Sequence, residues 1–216
     1  MTGSVFAKAV LVAGCGSVCL LEPRLHAQTV DVVPLLAGIE KRYNATQTLE
    51  VVFSETYTAR ARKRTGQGTL ILRKPGKMRW QYTDGNLFIS DGEFIYSYFP
   101  EEKRAEKMKF KEAEDMRAPL AFLLGKLDFQ RDFRQFNAAR EGLDARIVAI
   151  PKSDKLPYSE VSFLATPEFV IRRLVVKNYD NSTLQFDLSE EKRNTPAPDS
   201  LFRFAPPAGA TLVEGK

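Results

Sequence analysis

Apolar and polar residues alternate along most of this chain with a period of two, and the alternation is broken by turn signals. Leu70-Ile71-Leu72-Arg73-Lys74-Pro75-Gly76-Lys77-Met78-Arg79-Trp80-Gln81-Tyr82 reads as strand, tight turn, strand. In its second arm Met78, Trp80 and Tyr82 share one face, and Arg79 and Gln81 the other. Phe94-Ile95-Tyr96-Ser97-Tyr98-Phe99 is apolar on nearly both faces. Further strands are expected over Thr48–Thr58, about Arg104–Phe110, Phe129–Asn137, Ala145–Ile150, Glu160–Leu164, Phe169–Asn178, Ser182–Asp187 and Phe202–Phe204. Asp84-Gly85, Asp91-Gly92 and Asp180-Asn181 mark turns, and Gly66-Gln67-Gly68 reads as punctuation.

Two stretches carry a helical period instead. Val33, Leu36, Ile39 and Tyr43 fall near one face of a helix over Val32–Tyr43, with Pro34 suited to its first turn. Ala113, Met116, Leu120, Leu123 and Leu124 have helical spacing, with Gly125 as a C-cap. Pro119 breaks or kinks that second run into two short pieces. Neither a repeat nor a linker interrupts the 216 residues, so one mainly β (α+β) domain is expected. The short turns make neighbouring strands antiparallel. A sheet of about 10–11 twisted strands curls towards a barrel, whose interior helices can plug.

The first residues have a separate logic. Lys8 precedes an apolar run, Ala9 to Leu21, too short to span a bilayer comfortably, and Leu25-His26-Ala27 ends the polar stretch after it. That is the pattern of an export signal over residues 1–27, leaving 28–216 as the mature domain. Within it Val12-Ala13-Gly14-Cys15 has the form of a lipobox, the alternative in which Cys15 is lipidated and anchors the chain. With cleavage after Ala27, both cysteines and the only histidine leave with the signal. Disulfides, Cys–His and Ser–His–Asp chemistry and Cys/His zinc sites leave with them.

Composition narrows the classes further. The formal net charge is +5, with basic and acidic residues interleaved, which speaks against nucleic acid. Glu101-Glu102 and Glu112 with Glu114-Asp115 read as solvated faces; an enzyme would need two carboxylates converging in a cleft. Aromatic residues make up 11% of the chain, so the strands need a large apolar partner. An aromatic strand face is equally the mark of ordinary packed core, and Lys74 of a solvated hairpin end.

Four segments in order resemble the LolA family of periplasmic lipoprotein carriers. Gly66-Gln67-Gly68-Thr69-Leu70-Ile71-Leu72-Arg73-Lys74-Pro75 resembles the family's hairpin, and Met78-Arg79-Trp80 the aromatic strand after it. Ser90-Asp91-Gly92, running on to Tyr96-Ser97-Tyr98-Phe99-Pro100, and Phe202-Arg203-Phe204-Ala205-Pro206-Pro207-Ala208-Gly209 resemble two later motifs. The resemblance implies an unclosed, strongly curved antiparallel β-barrel with helices forming a lid over a hydrophobic cavity. It implies a periplasmic protein that takes lipoprotein acyl chains from an inner-membrane ABC transporter to an outer-membrane acceptor, with neither cofactor nor catalysis. Phe53, Leu70, Leu72, Met78, Trp80, Tyr82, Phe94, Tyr96 and Tyr98 are the expected walls. Met116, Leu120, Phe122, Leu123 and Leu124 are the expected lid. Where the family pattern has an Arg that latches the lid, this chain has Lys74, which lacks the guanidinium's rigid fork. A monomer is expected. The rival readings on the same scaffold are a lipid-anchored acceptor, a sensor of mislocalised lipoproteins and a carrier of another lipid.

Overall fold

In the computed structural model, which describes residues 30–110 and 127–215, the chain begins with helix α1, Val32–Asn44. Asp31 caps it, its carboxylate accepting from the Val33 amide at 3.0 Å. Leu36, Ile39 and Tyr43 are buried; Val33, expected on the same face, is 63% exposed. The first turn packs on the core through Val32 and Leu35 instead, and Val33 points away from it.

The strands follow as β1 Thr48–Ala59, β2 Arg62–Arg73, β3 Lys77–Tyr82, β4 Leu87–Asp91, β5 Phe94–Phe99 and β6 Arg104–Lys109. After a one-turn helix α2, Phe129–Asp132, come β7 Phe133–Glu141, β8 Asp144–Pro151, β9 Tyr158–Ala165, β10 Ile171–Asn178 and β11 Thr183–Arg193. A 3-10 turn, Asp199–Phe202, and β12 Thr211–Glu214 end the chain.

All twelve strands form a single curved sheet in the order β12-β6-β5-β4-β3-β2-β1-β11-β10-β9-β8-β7. The terminal strands β12 and β7 do not pair with each other, so the sheet is unclosed. Every pairing is antiparallel except β12 on β6. Consecutive hairpins generate this order, and the β1–β11 pairing joins its two halves.

Register separates the two faces. Leu49, Val51 and Phe53 of β1 lie opposite Leu72, Leu70 and Gly68 of β2, which face Met78, Trp80 and Tyr82 of β3. On the other side of β1, Glu55 and Tyr57 face Phe186 and Leu184, and the row continues through Leu174 and Val176 to Phe163 and Val161. These residues form the inner face. Leu36, Ile39 and Tyr43 of α1 and Phe129 of α2 belong to the same buried cluster. Phe129 lies edge-on to Phe163 at 5.5 Å and to Phe136 at 6.2 Å.

The last residues cross the opposite, outer face. Arg79 donates to the Leu201 carbonyl, and Lys77 and Arg73 bind Asp199. The Arg73 guanidinium lies 5.0 Å from the centre of the buried Phe202 ring. These contacts account for a departure from the sequence pattern. Phe202 and Phe204 do not make a strand; each is a separate anchor on the outer face, and the strand at this end is β12. Phe129, expected to open a strand, instead starts α2, because Asp128 accepts from the Arg131 amide and Glu40 of α1 from the Phe129 amide. Gly66 and Gly68 do not punctuate: both lie inside β2. A side chain at Gly68 would meet the Gln81 carbonyl oxygen at 2.0 Å, so the glycine lets β3 approach.

Candidate functional site

The inner face carries an aromatic cluster where β1, β2, β3 and β11 meet. Phe53 sits edge-on to Trp80 at 5.4 Å and to Tyr82 at 5.0 Å. Trp80 and Tyr82, two residues apart on β3, stack at 6.1 Å with nearly parallel planes. Phe186 of β11 closes on Trp80 at 5.2 Å, and Phe88 of β4 on Tyr82 at 6.0 Å. Leu70, Leu72 and Met78 extend the surface towards α1. Large rings and one flexible thioether make an apolar wall that adapts to varied chains.

Six of the nine expected wall residues therefore share one face: Phe53, Leu70, Leu72, Met78, Trp80 and Tyr82. The other three, Phe94, Tyr96 and Tyr98, do not join them. Tyr96 pairs with Ile89 and Ile89 with Arg79, which alternates with Trp80, so this set belongs to the outer face. There Phe204 stacks on Tyr96 at 5.3 Å, and the Lys107 ammonium lies 3.9 Å from the centre of the Phe94 ring. A strand apolar on both faces offers no parity signal, and the pairing decides. The residues of the expected lid, Met116, Leu120, Phe122, Leu123 and Leu124, lie outside the described residues, as does the 1–27 segment.

Two polar features interrupt the wall. The Tyr82 hydroxyl donates to the Glu55 carboxylate at 2.5 Å. Burial pushes the Glu55 carboxyl above the ordinary range, and the Tyr82 hydrogen bond partly offsets this. Burial likewise raises the Tyr82 phenol, and its bond to Glu55 raises it further. The Trp80 indole nitrogen is buried and has no hydrogen-bond acceptor; it is the one such side-chain atom among the described residues. A cleft of about 470 Å³ beside Tyr82 is lined by polar groups, among them Ser54, Gln67 and Asp84.

Lys74 follows β2 immediately and reaches α1. Its ammonium donates to the Tyr43 carbonyl at 2.8 Å, while its amide donates to the Gln47 carbonyl. Burial lowers the Lys74 ammonium from its ordinary value. The Tyr43 ring end is held as well: its hydroxyl donates to Glu191 at 2.8 Å and accepts from the Ile171 amide at 3.0 Å. Arg42 pairs with the same Glu191. Asn44 then fastens residue 127, its side chain bonding both the amide and the carbonyl of Leu127. The last turn of α1 is thus the junction of β2, β10, β11 and the segment entering α2.

Sequence reasoning missed Glu55, Phe88 and Phe186. The alternation Leu184, Phe186, Leu188 was available for the last, but no motif flagged it. It also missed a local concentration of charge. Arg60, Arg62, Lys63 and Arg64 gather at the exposed tip of the β1–β2 hairpin, a cluster that the interleaved whole-chain charge conceals. Among the described residues no group of three or more Cys, His, Asp or Glu is placed to hold a metal ion, and no helix is long and apolar enough to cross a membrane.

Comparison with known proteins agrees with this architecture. A family profile described as "Outer membrane lipoprotein carrier protein LolA" matches residues 44–205. The outer-membrane lipoprotein carrier protein of Chromobacterium violaceum is 25% identical over 182 residues, covering 83% of this chain and 87% of that protein. The protein of the same name from Dechloromonas aromatica is 28% identical over 204 residues, covering 90% and 97%. A solved structure, an uncharacterized conserved protein from Thermus thermophilus, has the same fold, with a TM-score of 0.54 at 10% identity over 85% of this chain and 99% of that one. With the profile spanning most of the open sheet and its inner aromatic face, the chain belongs to the LolA family.

Proposed function

We propose that this protein is a periplasmic carrier of lipoproteins, holding their acyl chains against the inner face of the sheet during transfer to the outer membrane. The observation that carries this reading is the gathering of Phe53, Trp80, Tyr82, Phe88 and Phe186 on the inner face of a chain of this family. The physical requirement is simple. Each methylene removed from water contributes about 0.8 kcal/mol, so a multiply acylated anchor leaves a membrane only for a comparably large apolar surface. Release needs the opposite property, a cover held by few contacts. In this reading the segment carrying Met116, Leu120, Phe122, Leu123 and Leu124 is that cover, and Lys74, bound to the end of α1, is its latch. Cargo arrives from an inner-membrane ABC transporter and leaves to an outer-membrane acceptor, and residues 1–27 direct export.

The test is a release assay. Spheroplasts retaining newly acylated lipoproteins are incubated with the purified protein, and the supernatant is examined for soluble one-to-one complexes. The expected result is release of lipoproteins by this protein and not by a Phe53→Asp, Trp80→Asp double variant shown to be folded. Equal release by both would contradict the proposal.

A further inference from the structure

We propose that the Trp80 indole N–H is a recognition group for an ester carbonyl of the acylated cargo, fixing the depth at which its chains enter. This rests on the carrier reading and adds a specific polar contact to it. A buried donor without an acceptor is uncommon, because it has given up water for nothing. Trp80 is 8% exposed, and its nitrogen is buried without a partner. Its surroundings are rings: Phe53, Tyr82 and Phe186 pack about the indole. The Glu55 and Tyr82 pair on the same face is already satisfied internally, the phenol donating to the carboxylate. A phenylalanine would fill such a wall without leaving a donor orphaned. An indole does so only to some purpose, and a bound carbonyl oxygen supplies the missing acceptor.

The ligand class follows from the chemistry. The acceptor must be neutral, since a carboxylate or phosphate brought beside Phe53 and Phe186 is desolvated without a counter-charge. It must also sit at the head of an apolar chain. An acyl ester has both properties; an alkyl ether keeps the chain and loses the carbonyl.

The experiment compares a diacylglyceryl lipopeptide with its dialkyl ether analogue, against the wild-type protein and Trp80→Phe. Loss of packing in the variant weakens both ligands alike, whereas loss of the hydrogen bond weakens the ester alone. The expected result is an ester preference of about tenfold in the wild type, abolished in Trp80→Phe. Because Trp80 is the only tryptophan, its Nε1–H gives a single indole resonance, expected to move downfield with the ester and not with the ether. That signal decides on the wild-type protein alone if the variant does not fold. Equal ester-to-ether ratios in both proteins, or an unmoved resonance, overturn the hydrogen bond while leaving acyl-chain binding intact. Binding of neither lipid overturns the carrier reading and this inference together.

Discussion

The Lys74 ammonium donates to the Tyr43 carbonyl at 2.8 Å, tying the end of β2 to the last turn of α1. A carbonyl at a helix C-terminus lacks an intrahelical partner and carries the negative end of the dipole, so a cation is well placed there. Lys74→Met is expected to lower stability by about 1 kcal/mol and to speed hydrogen exchange in α1 selectively, while Lys74→Arg retains most of the protection. Unchanged exchange in α1 of the methionine variant would remove Lys74 from the account of this junction.

Gly68 predicts a sharper effect. A methyl group there collides with the Gln81 carbonyl oxygen, a backbone atom that moves only if β2 and β3 separate. Gly68→Ala should cost about 3 kcal/mol or more, read as a lowered thermal midpoint. A midpoint equal to that of the wild type would show that the strands part without difficulty.

The two aromatic faces should separate in a binding experiment. Tyr96→Ala and Phe204→Ala each remove a partner of one outer-face stack and should lower stability by about 1–2 kcal/mol, coupled in a double-mutant cycle. Acyl-ligand affinity per folded molecule should stay at the wild-type value. Weaker binding by folded Tyr96→Ala would return Tyr96 to the wall.

Glu55 predicts a pH dependence. Its folded-state pKa is raised above the ordinary 4.5, chiefly by burial. The folded state therefore binds the proton more tightly than the unfolded one. That contribution to stability is complete below 4.5 and is lost as pH rises through the folded value. Glu55→Gln accepts from Tyr82 without a charge, so its stability relative to wild type should grow between about pH 4 and about pH 7. Urea denaturation at both values measures it; a pH-independent difference between the two proteins would contradict the assignment.

Much of this fold was legible in the sequence, and particular residues explain the limits. Strands with strict alternation, such as Met78-Arg79-Trp80-Gln81-Tyr82, disclosed both their position and their inner face. Helix α1 was visible from Leu36, Ile39 and Tyr43. Phe94–Phe99 disclosed its strand but not its orientation, because both faces are apolar: Ile95 faces inward, and Tyr96 packs on Phe204. The short β12 has little pattern and is held by parallel pairing with β6, a long-range relation that no local signal contains. The candidate wall was readable on β1, β2 and β3. Its closure by Phe186 depended on β11 returning beside β1, about 130 residues later in the chain.

The most direct test of the central claim is a displacement titration. The protein is loaded with a fluorescent apolar probe, and a triacylated lipopeptide or its deacylated twin is added. Acyl-chain carriage predicts that the acylated peptide alone displaces the probe, and that Phe53→Ala weakens this displacement while Tyr96→Ala does not. Failure of the probe to bind, or its indifference to both peptides, would mean that Phe53, Trp80 and Phe186 are packed core only, and would contradict the claim.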